Sequence, residues 1–496
     1  MDTVQNTKDF LLLLPLLLPV IGALCVAFVK ALDDMRLRRI AVTATLGLTL
    51  LSVLAILLRP DGSLVLFNLT PSIPVLLKLD GVGRLYAGFI SAIFLAVGIY
   101  SFEYMHHEKN EKRFYTFYLL TLAALMGLSL CGSIVTLYMF YEAMTLLSLP
   151  LVTHTQTREA VAAGIKYLIY SVIGASLALA GIFFLNSYAD TLSFTPGGVL
   201  NMEKVAGHES LLLVVFFLMV MGFSVKAGMF PLHGWLPTAH PVAPAPASAV
   251  LSGVITKAGV LGIIRVVFYL VGPDFLRGTW VQTAWLILAI ITVFLGSMLA
   301  FKEGVFKKRL AYSTVSQVSY VLFGLFTLTA QGMTGSLLHI IFHSIIKNTL
   351  FMTAGAIIYK TGKTKVSELT GIGKQMPIAM WCYTIVSMGL IGIPPTCGFI
   401  SKWYLAQGGL ATSFSWNWVG PAVLLVSAIL TAGYLFSIVI RGFFPGNEIS
   451  REELPKAEPT WIMLAPMAAL AALCLLLGMF PNALTGFVSS IAAAVL

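Results

Sequence analysis

One glutamate, five lysines and two histidines stand where the chain is otherwise apolar. Glu142 lies in LYMFYEAMTLLSL, Lys166 in AAGIKYLIYSVIGA, Lys226 in VMGFSVKAGMF and Lys257 in SGVITKAGV. His339, His343 and Lys347 share LLHIIFHSIIKNTLF, and Lys402 follows the proline pair of IGIPPTCGFISKWYL. Ionisable side chains inside lipid are costly, and they mark ion paths and proton relays. A glutamate and a lysine on neighbouring helices neutralise each other there. Separating them changes how tightly each holds its proton, so Glu142 and Lys226 form a candidate charge-coupling pair. The alternative is a static ion pair that fixes helix packing.

Lys257 falls about eleven residues into its run, near mid-membrane at about 1.5 Å per residue. Small residues around it leave room for water or a close helix, and snorkelling to the headgroups is the competing reading. His339, His343 and Lys347 are spaced i, i+4, i+8 and share one helix face. Imidazoles exchange protons near neutral pH. The alternatives are two packed histidines bonded to carbonyls, or a zinc pair, for which no nearby acid or cysteine completes a site. Lys226 precedes Phe230-Pro231, and Lys402 follows Pro394, Pro395 and Gly398, so each lysine sits beside a helix break. His233 lies just past the first break, as a gate or a helix-end hydrogen bond. Lys166 either snorkels or bridges Glu142 to the next site.

The elements that must position these groups are membrane helices. Of 496 residues, 58% are hydrophobic and 10% charged, against roughly 25% charged in soluble proteins. Apolar runs of about 20 residues recur along the chain, which predicts α-helices rather than barrel strands. Fourteen spans are expected, at 10–30, 38–58, 82–104, 114–131, 133–152, 161–187, 211–230, 246–270, 280–300, 308–328, 333–359, 378–398, 419–441 and 460–480. A short helix at 400–413 and an amphipathic one at 482–495 follow. Stretches 59–81 and 188–210 read as loops, and 231–245 is too rich in proline for a continuous helix. The first apolar run reads as a span rather than a removed signal peptide.

Loops after odd-numbered spans hold nineteen Lys and Arg, from Lys30 to Lys456 and including Arg451; loops after even-numbered spans hold four. The odd loops therefore face the cytoplasm and both termini lie outside. This loop pattern, rather than nucleic acid, explains the net charge of +10. Lys8 lies in the N-terminal tail. The five cysteines form no CxxC pair, and no glycine-rich loop follows a strand, so no metal, Fe–S, nicotinamide, flavin or ATP site is expected. The stretch KKRLAYSTVSQVSY reads as a basic cytoplasmic turn without further chemistry. The two breaks are five spans apart, which suggests two related half-units, the second inverted in the membrane.

The segments YEAMTLLSL, KAGMFPLHGWLPTAHPVAPAPASAVLSGVITKAG, LLHIIFHSIIKNTLF and GIPPTCGFISKW together resemble the antiporter-like subunits of respiratory complex I, Mrp-type cation/proton antiporters and membrane-bound hydrogenases. The resemblance covers roughly spans three to thirteen. It implies an all-α polytopic fold of about fourteen transmembrane helices, with inverted five-helix repeats and broken helices seven and twelve. The implied divisions are 1–110, 111–275 (helices four to eight), 276–445 (helices nine to thirteen) and 446–496. It implies a polar axis across the membrane middle, with Glu142 and Lys226 as the coupling pair and Lys257 as the central lysine. His339, His343 and Lys347 form its stripe and Lys402 its terminal lysine. Some complex I members carry glutamate at that last position, so this chain stands nearer the Mrp D-type and hydrogenase-type subunits. The long lateral helix and extra C-terminal spans of the largest members are not expected from this sequence.

The expected function is proton or cation/proton translocation within a multisubunit complex of the cell membrane. Partners are other membrane subunits, with H+ and Na+ as candidate ions and no redox centre or other cofactor in the chain itself. A redox-driven pump with peripheral redox subunits, a secondary antiporter and a structural scaffold remain as readings.

Overall fold

Inside lipid a backbone must satisfy its own hydrogen bonds, and the computed structural model of the chain is accordingly mostly helical. It describes residues 9–70, 73–446 and 455–496; Lys8 and Arg451 lie outside these. The N-terminal helices are α1 (Leu14–Phe28), α2 (Met35–Leu57) and α3 (Gly81–Tyr104). Next come α4 (Glu111–Ser129), α5 (Ile134–Val152), α6 (Arg158–Tyr188) and α7 (Glu209–Ala227), then the short α8 (Leu236–Val242) and the long α9 (Ala245–Val271). A second series holds α10 (Trp280–Lys302), α11 (Phe306–Phe326), α12 (Ala330–Thr361), α13 (Pro377–Ile391), α14 (Cys397–Leu410) and α15 (Val419–Phe443). The chain closes with α16 (Trp461–Met479) and the amphipathic α17 (Asn482–Val495).

Among the described residues, eleven helices are long and apolar enough to cross a bilayer, so this is a multi-pass membrane protein. The other three expected spans fall on α4, α11 and α13, and α14 takes the place of the short helix expected at 400–413. Charged turns open the first two, Glu111-Lys112-Arg113 and Lys307-Lys308-Arg309, and a break shortens the third.

One expectation fails. The stretch 59–81 contains an antiparallel hairpin, β1 (Ser63–Thr70) and β2 (Ile73–Lys78), with Ser63 opposite Lys78 and Leu64 opposite Leu77. Its short apolar runs favour strand pairing but cannot span a bilayer. The free edge of β2 is covered by the turn between α4 and α5: Lys78 N donates to Leu130 O at 2.7 Å, and Gly132 N to Leu76 O at 2.8 Å. The 188–210 stretch is mostly irregular, with one short helix at Met202–Val205. Its backbone N–H groups at Gly197 and Val199 donate to Phe268 O and Leu270 O, occupying carbonyls at the wide-turned end of α9.

The buried centre is built by α9 and α12. The apolar core of α9 is wholly enclosed, whereas α2 and α15 leave large apolar side chains exposed, as lipid-facing helices do. Helix α9 packs on α7 and α12, α12 packs on α11 and α14, and α6 packs on α7. Glycines permit the closest approaches. A Cβ on Gly259 of α9 would meet the Phe223 carbonyl of α7, and one on Gly398 of α14 would meet the Gly389 carbonyl of α13.

Arg265, fully buried in α9, is held by Asp80 at the start of α3: Nη1 donates to Oδ2 at 2.5 Å and Nη2 to Oδ1 at 2.9 Å. The two aspartate oxygens thus compensate a charge taken out of water. Asp80 also caps α3 by accepting from Gly83 N at 2.8 Å. Replacing Asp80 with alanine should destabilise the purified protein by about 3–5 kcal/mol, because it strands a buried guanidinium. An unchanged thermal transition would show that the pair contributes nothing.

Candidate functional site

Helix α7 ends where Gly228 takes a left-handed conformation (φ 78°) and donates its N–H to Ser224 O at 2.9 Å. Lys226 therefore sits at the negative end of its own helix, a favourable place for a cation. Its Nζ is fully buried and donates to Thr145 Oγ1 at 3.0 Å, the Tyr167 hydroxyl at 2.9 Å and Ser171 Oγ at 2.8 Å. Three donors meet three hydroxyls from α5 and α6. Past the break, Trp235 closes the cage at the start of α8 by donating Nε1 to Val225 O at 2.8 Å and packing its ring 4.9 Å from Tyr167.

Glu142 and Lys226 form no direct ion pair among the described residues. The inward face of α5 carries Tyr141, Thr145 and Ser148, and Glu142 lies at its edge, half-buried, with Oε1 buried and without a hydrogen-bond partner among the described residues. The carboxylate acts on the ammonium through space rather than by contact. Lys166 reaches across to α8, donating to Thr238 Oγ1 at 3.1 Å. It thereby joins the broken-helix region rather than Glu142. His233 packs with its ring 6.0 Å from Phe230 at the break and keeps its Nδ1 buried, without a partner among the described residues.

Lys257 owes its setting to a wide helical turn. Residues Leu251–Ile255 of α9 run as a π-turn, and the Ser252 carbonyl within it accepts from two side chains. Lys257 Nζ donates to Ser252 O at 2.5 Å and Thr256 Oγ1 donates to the same oxygen at 2.9 Å. From here the polar contacts pass to α11. Ser252 Oγ and Thr314 Oγ1 lie 2.7 Å apart. Next to Thr314, Ser313 Oγ accepts from Lys347 Nζ, which also donates to Leu310 O at 2.8 Å. Lys347, His343 and His339 do share one buried face of α12; the two imidazoles stack 5.9 Å apart. His339 Nδ1 lies 2.9 Å from Ser401 Oγ, and its ring packs 5.7 Å from Tyr320. Lys402 Nζ lies 5.0 Å from that same tyrosine ring and donates to Leu390 O (2.5 Å) and Ile391 O (2.9 Å), the last carbonyls of α13 before Gly392 turns left-handed.

The structure therefore brings Lys257, Lys347, His343, His339 and Lys402 into one polar series. Among the described residues Lys226 meets it through packing, where Gly259 of α9 rests against Lys226. The stretch KKRLAYSTVSQVSY is not inert: as α11 it supplies Ser313, Thr314 and Tyr320 to the series. It also carries Gln317, whose amide oxygen and nitrogen are both buried and unpartnered among the described residues. Polar residues at 313, 317 and 320 follow a helical repeat that the sequence displays. Its three basic residues masked that stripe. His240 of α8 and Lys307 of α11 are further buried groups outside the expected set. Among the described residues, no three His, Cys, Asp or Glu side chains gather as a metal would need.

A sequence profile described as "NADH:quinone oxidoreductase/Mrp antiporter, TM" matches residues 131–431, the whole of this series. The chain belongs to that family. A second profile, for the N-terminus of complex I chain 5, matches residues 69–115. NADH-quinone oxidoreductase subunit N of Desulforudis audaxviator is 32% identical over 406 residues, 78% of each chain. The D-type subunit of the Na(+)/H(+) antiporter of Alkalihalophilus pseudofirmus is 30% identical over 472 residues, 94% of this chain and 93% of that one. In fold, this NADH:quinone oxidoreductase/Mrp antiporter family member superposes on a chain of the Mrp complex from Dietzia sp. DQ12-45-1b with a TM-score of 0.85, at 21% identity over 98% of both chains.

The hydroxyl cage makes a checkable claim about Lys226. Tyr167→Phe should destabilise the protein by about 1.5–3 kcal/mol, the range for a hydrogen bond to a charged group. Thermal unfolding of the purified protein measures this; an unshifted transition would mean that the ammonium does not depend on the phenol.

Proposed function

We propose that this chain is a proton- or cation/proton-translocating subunit of a multisubunit membrane complex. The observation that carries the reading is the series of amines and imidazoles from Lys257 to Lys402, joined by the neighbouring hydroxyls of Thr314 and Ser313, by stacking of the two imidazoles and by the Tyr320 ring. Each amine is held by oxygen atoms that water also uses, and each imidazole can take or release a proton. Glu142 and Lys226 form the charge-coupling end, where a change in one charge alters the other through space. His233 and Lys166 attend the break beside that end. Lys257 is the central relay, and Lys347, His343 and His339 lead to Lys402.

In this reading the chain crosses the membrane fourteen times, with α4, α11 and α13 among the spans and the basic loops in the cytoplasm. The parts are 1–110, two five-span repeats at 111–275 and 276–445, and 446–496. Support for a repeat comes from the long helices α6 and α12, 31 and 32 residues, each followed by a broken helix that carries or receives a lysine; an offset of five spans makes the second copy inverted. Both ends of the axis, Glu142 and Lys402, are only half-buried, which suits contact with neighbouring membrane subunits.

The D-type antiporter relative aligns over almost its whole length, which favours an Mrp D-type assembly exchanging H+ for Na+. A redox-driven complex is the second reading, favoured by the quinone oxidoreductase relative. Lys226→Ala and Lys257→Ala should each abolish ion movement in vesicles while the assembled complex persists on native gels. Retained transport in either variant would end the relay reading. Sodium-dependent proton movement without an electron donor is expected of the antiporter form, and donor-dependent movement of the redox form.

A further inference from the structure

The loops after α3, α5, α10 and α12 converge on a cleft of about 210 Å³, lined by Glu108, Thr155, Val305, Lys307, Thr364 and the 241–244 connector. That volume accommodates several waters, and these are the lysine- and arginine-rich loops. Lys307 is part of the cleft wall. Its Nζ donates to Ala243 O and, at 3.3 Å, to Pro241 O, pinning the connector between α8 and α9. Glu108 faces it from the loop after α3. Burial holds the Glu108 carboxyl above the usual carboxylate range, with the Lys307 ammonium opposing the shift.

His240 immediately precedes the pinned connector in the chain. It is fully buried, and neither ring nitrogen has a partner among the described residues. A buried imidazole without partners is costly and calls for an explanation. Its ring stacks on Phe351 of α12 with centroids 4.8 Å apart, and Lys347 Nζ lies 5.8 Å from the centroid of that same phenylalanine. His240 thus has contacts on two sides: its backbone runs straight into residues 241–244, which line the cleft, and its ring shares Phe351 with the Lys347 ammonium.

We propose that this cleft is the route by which protons reach the central lysines from the basic face, with Glu108 as collector, His240 as the internal acceptor and Lys307 as the latch on the connector between them. The inference rests on the translocation reading above. When Lys307 releases the carbonyls of Pro241 and Ala243, water from the cleft reaches the free His240 nitrogens. When it rebinds them, the central lysines are sealed from that face. A latch of this kind lets the centre load a proton without standing open.

The test uses the intact complex in vesicles with the basic face outward. Val242→Cys is treated with a charged, membrane-impermeant thiol reagent, against the untreated variant and the parent protein. Labelling read by mass and a block of proton flux are expected. His240→Gln and Glu108→Gln should each lower the flux on the order of 100-fold, the lower end of what a positioned proton carrier contributes. Failure of the reagent to label the Val242→Cys variant beyond the parent protein overturns this route. Full flux in both His240→Gln and Glu108→Gln while Lys257→Ala remains inactive does the same, and either result leaves the translocation reading standing. Full flux in Lys257→Ala as well overturns both.

Discussion

An ammonium group kept away from water must be handed oxygen atoms, and much of this protein can be understood as the means of supplying them. Hydrocarbon offers none, so each buried lysine forces a local departure from plain helix packing. For Lys226 the supply is three hydroxyls on two neighbouring helices. For Lys257 it is a carbonyl within a wide helical turn. For Lys347 it is a carbonyl and a serine of α11, and for Lys402 the last carbonyls of a helix cut short by Gly392. The helix breaks, the π-turn and the serines of α11 answer one demand.

Those solutions share a useful property. None of the four amines is locked to a carboxylate among the described residues. A tight ion pair would hold its proton and fix its geometry, whereas hydroxyls and carbonyls can be exchanged for water at modest cost. Arg265 makes the contrast. It is bound by both oxygens of Asp80, which suits an anchor. Both kinds of cation lie on α9, at Lys257 and Arg265, and their partners separate the structural role from the mobile one.

The residues with unusual chemistry were legible because lipid makes them conspicuous. Charges in apolar runs identify themselves, and the i, i+4, i+8 spacing of His339, His343 and Lys347 placed them on one face correctly. The breaks at Phe230-Pro231 and Pro394-Pro395 were legible from proline's missing N–H and its fixed φ. The hydroxyl groups were not. Serine and threonine are common in membrane helices, and Ser313 or Thr314 differs from its neighbours only by what it faces. The hairpin at 63–78 was missed for a related reason: a lone two-stranded hairpin is only marginally stable, and this one gains further backbone bonds from the turn before α5.

Sequence alone therefore determined the class of fold, the approximate spans, the broken helices and the identity of the titratable groups. These depend on composition and on local periodicity, which the chain carries in itself. Tertiary structure decided who holds whom. It set Lys226 among hydroxyls rather than against Glu142, turned Lys166 towards Thr238, and enlisted α11 in the polar series. Such choices depend on helix rotation and on close approach at glycines such as Gly259 and Gly398, and a shift of one residue, about 100° around a helix, changes every partner.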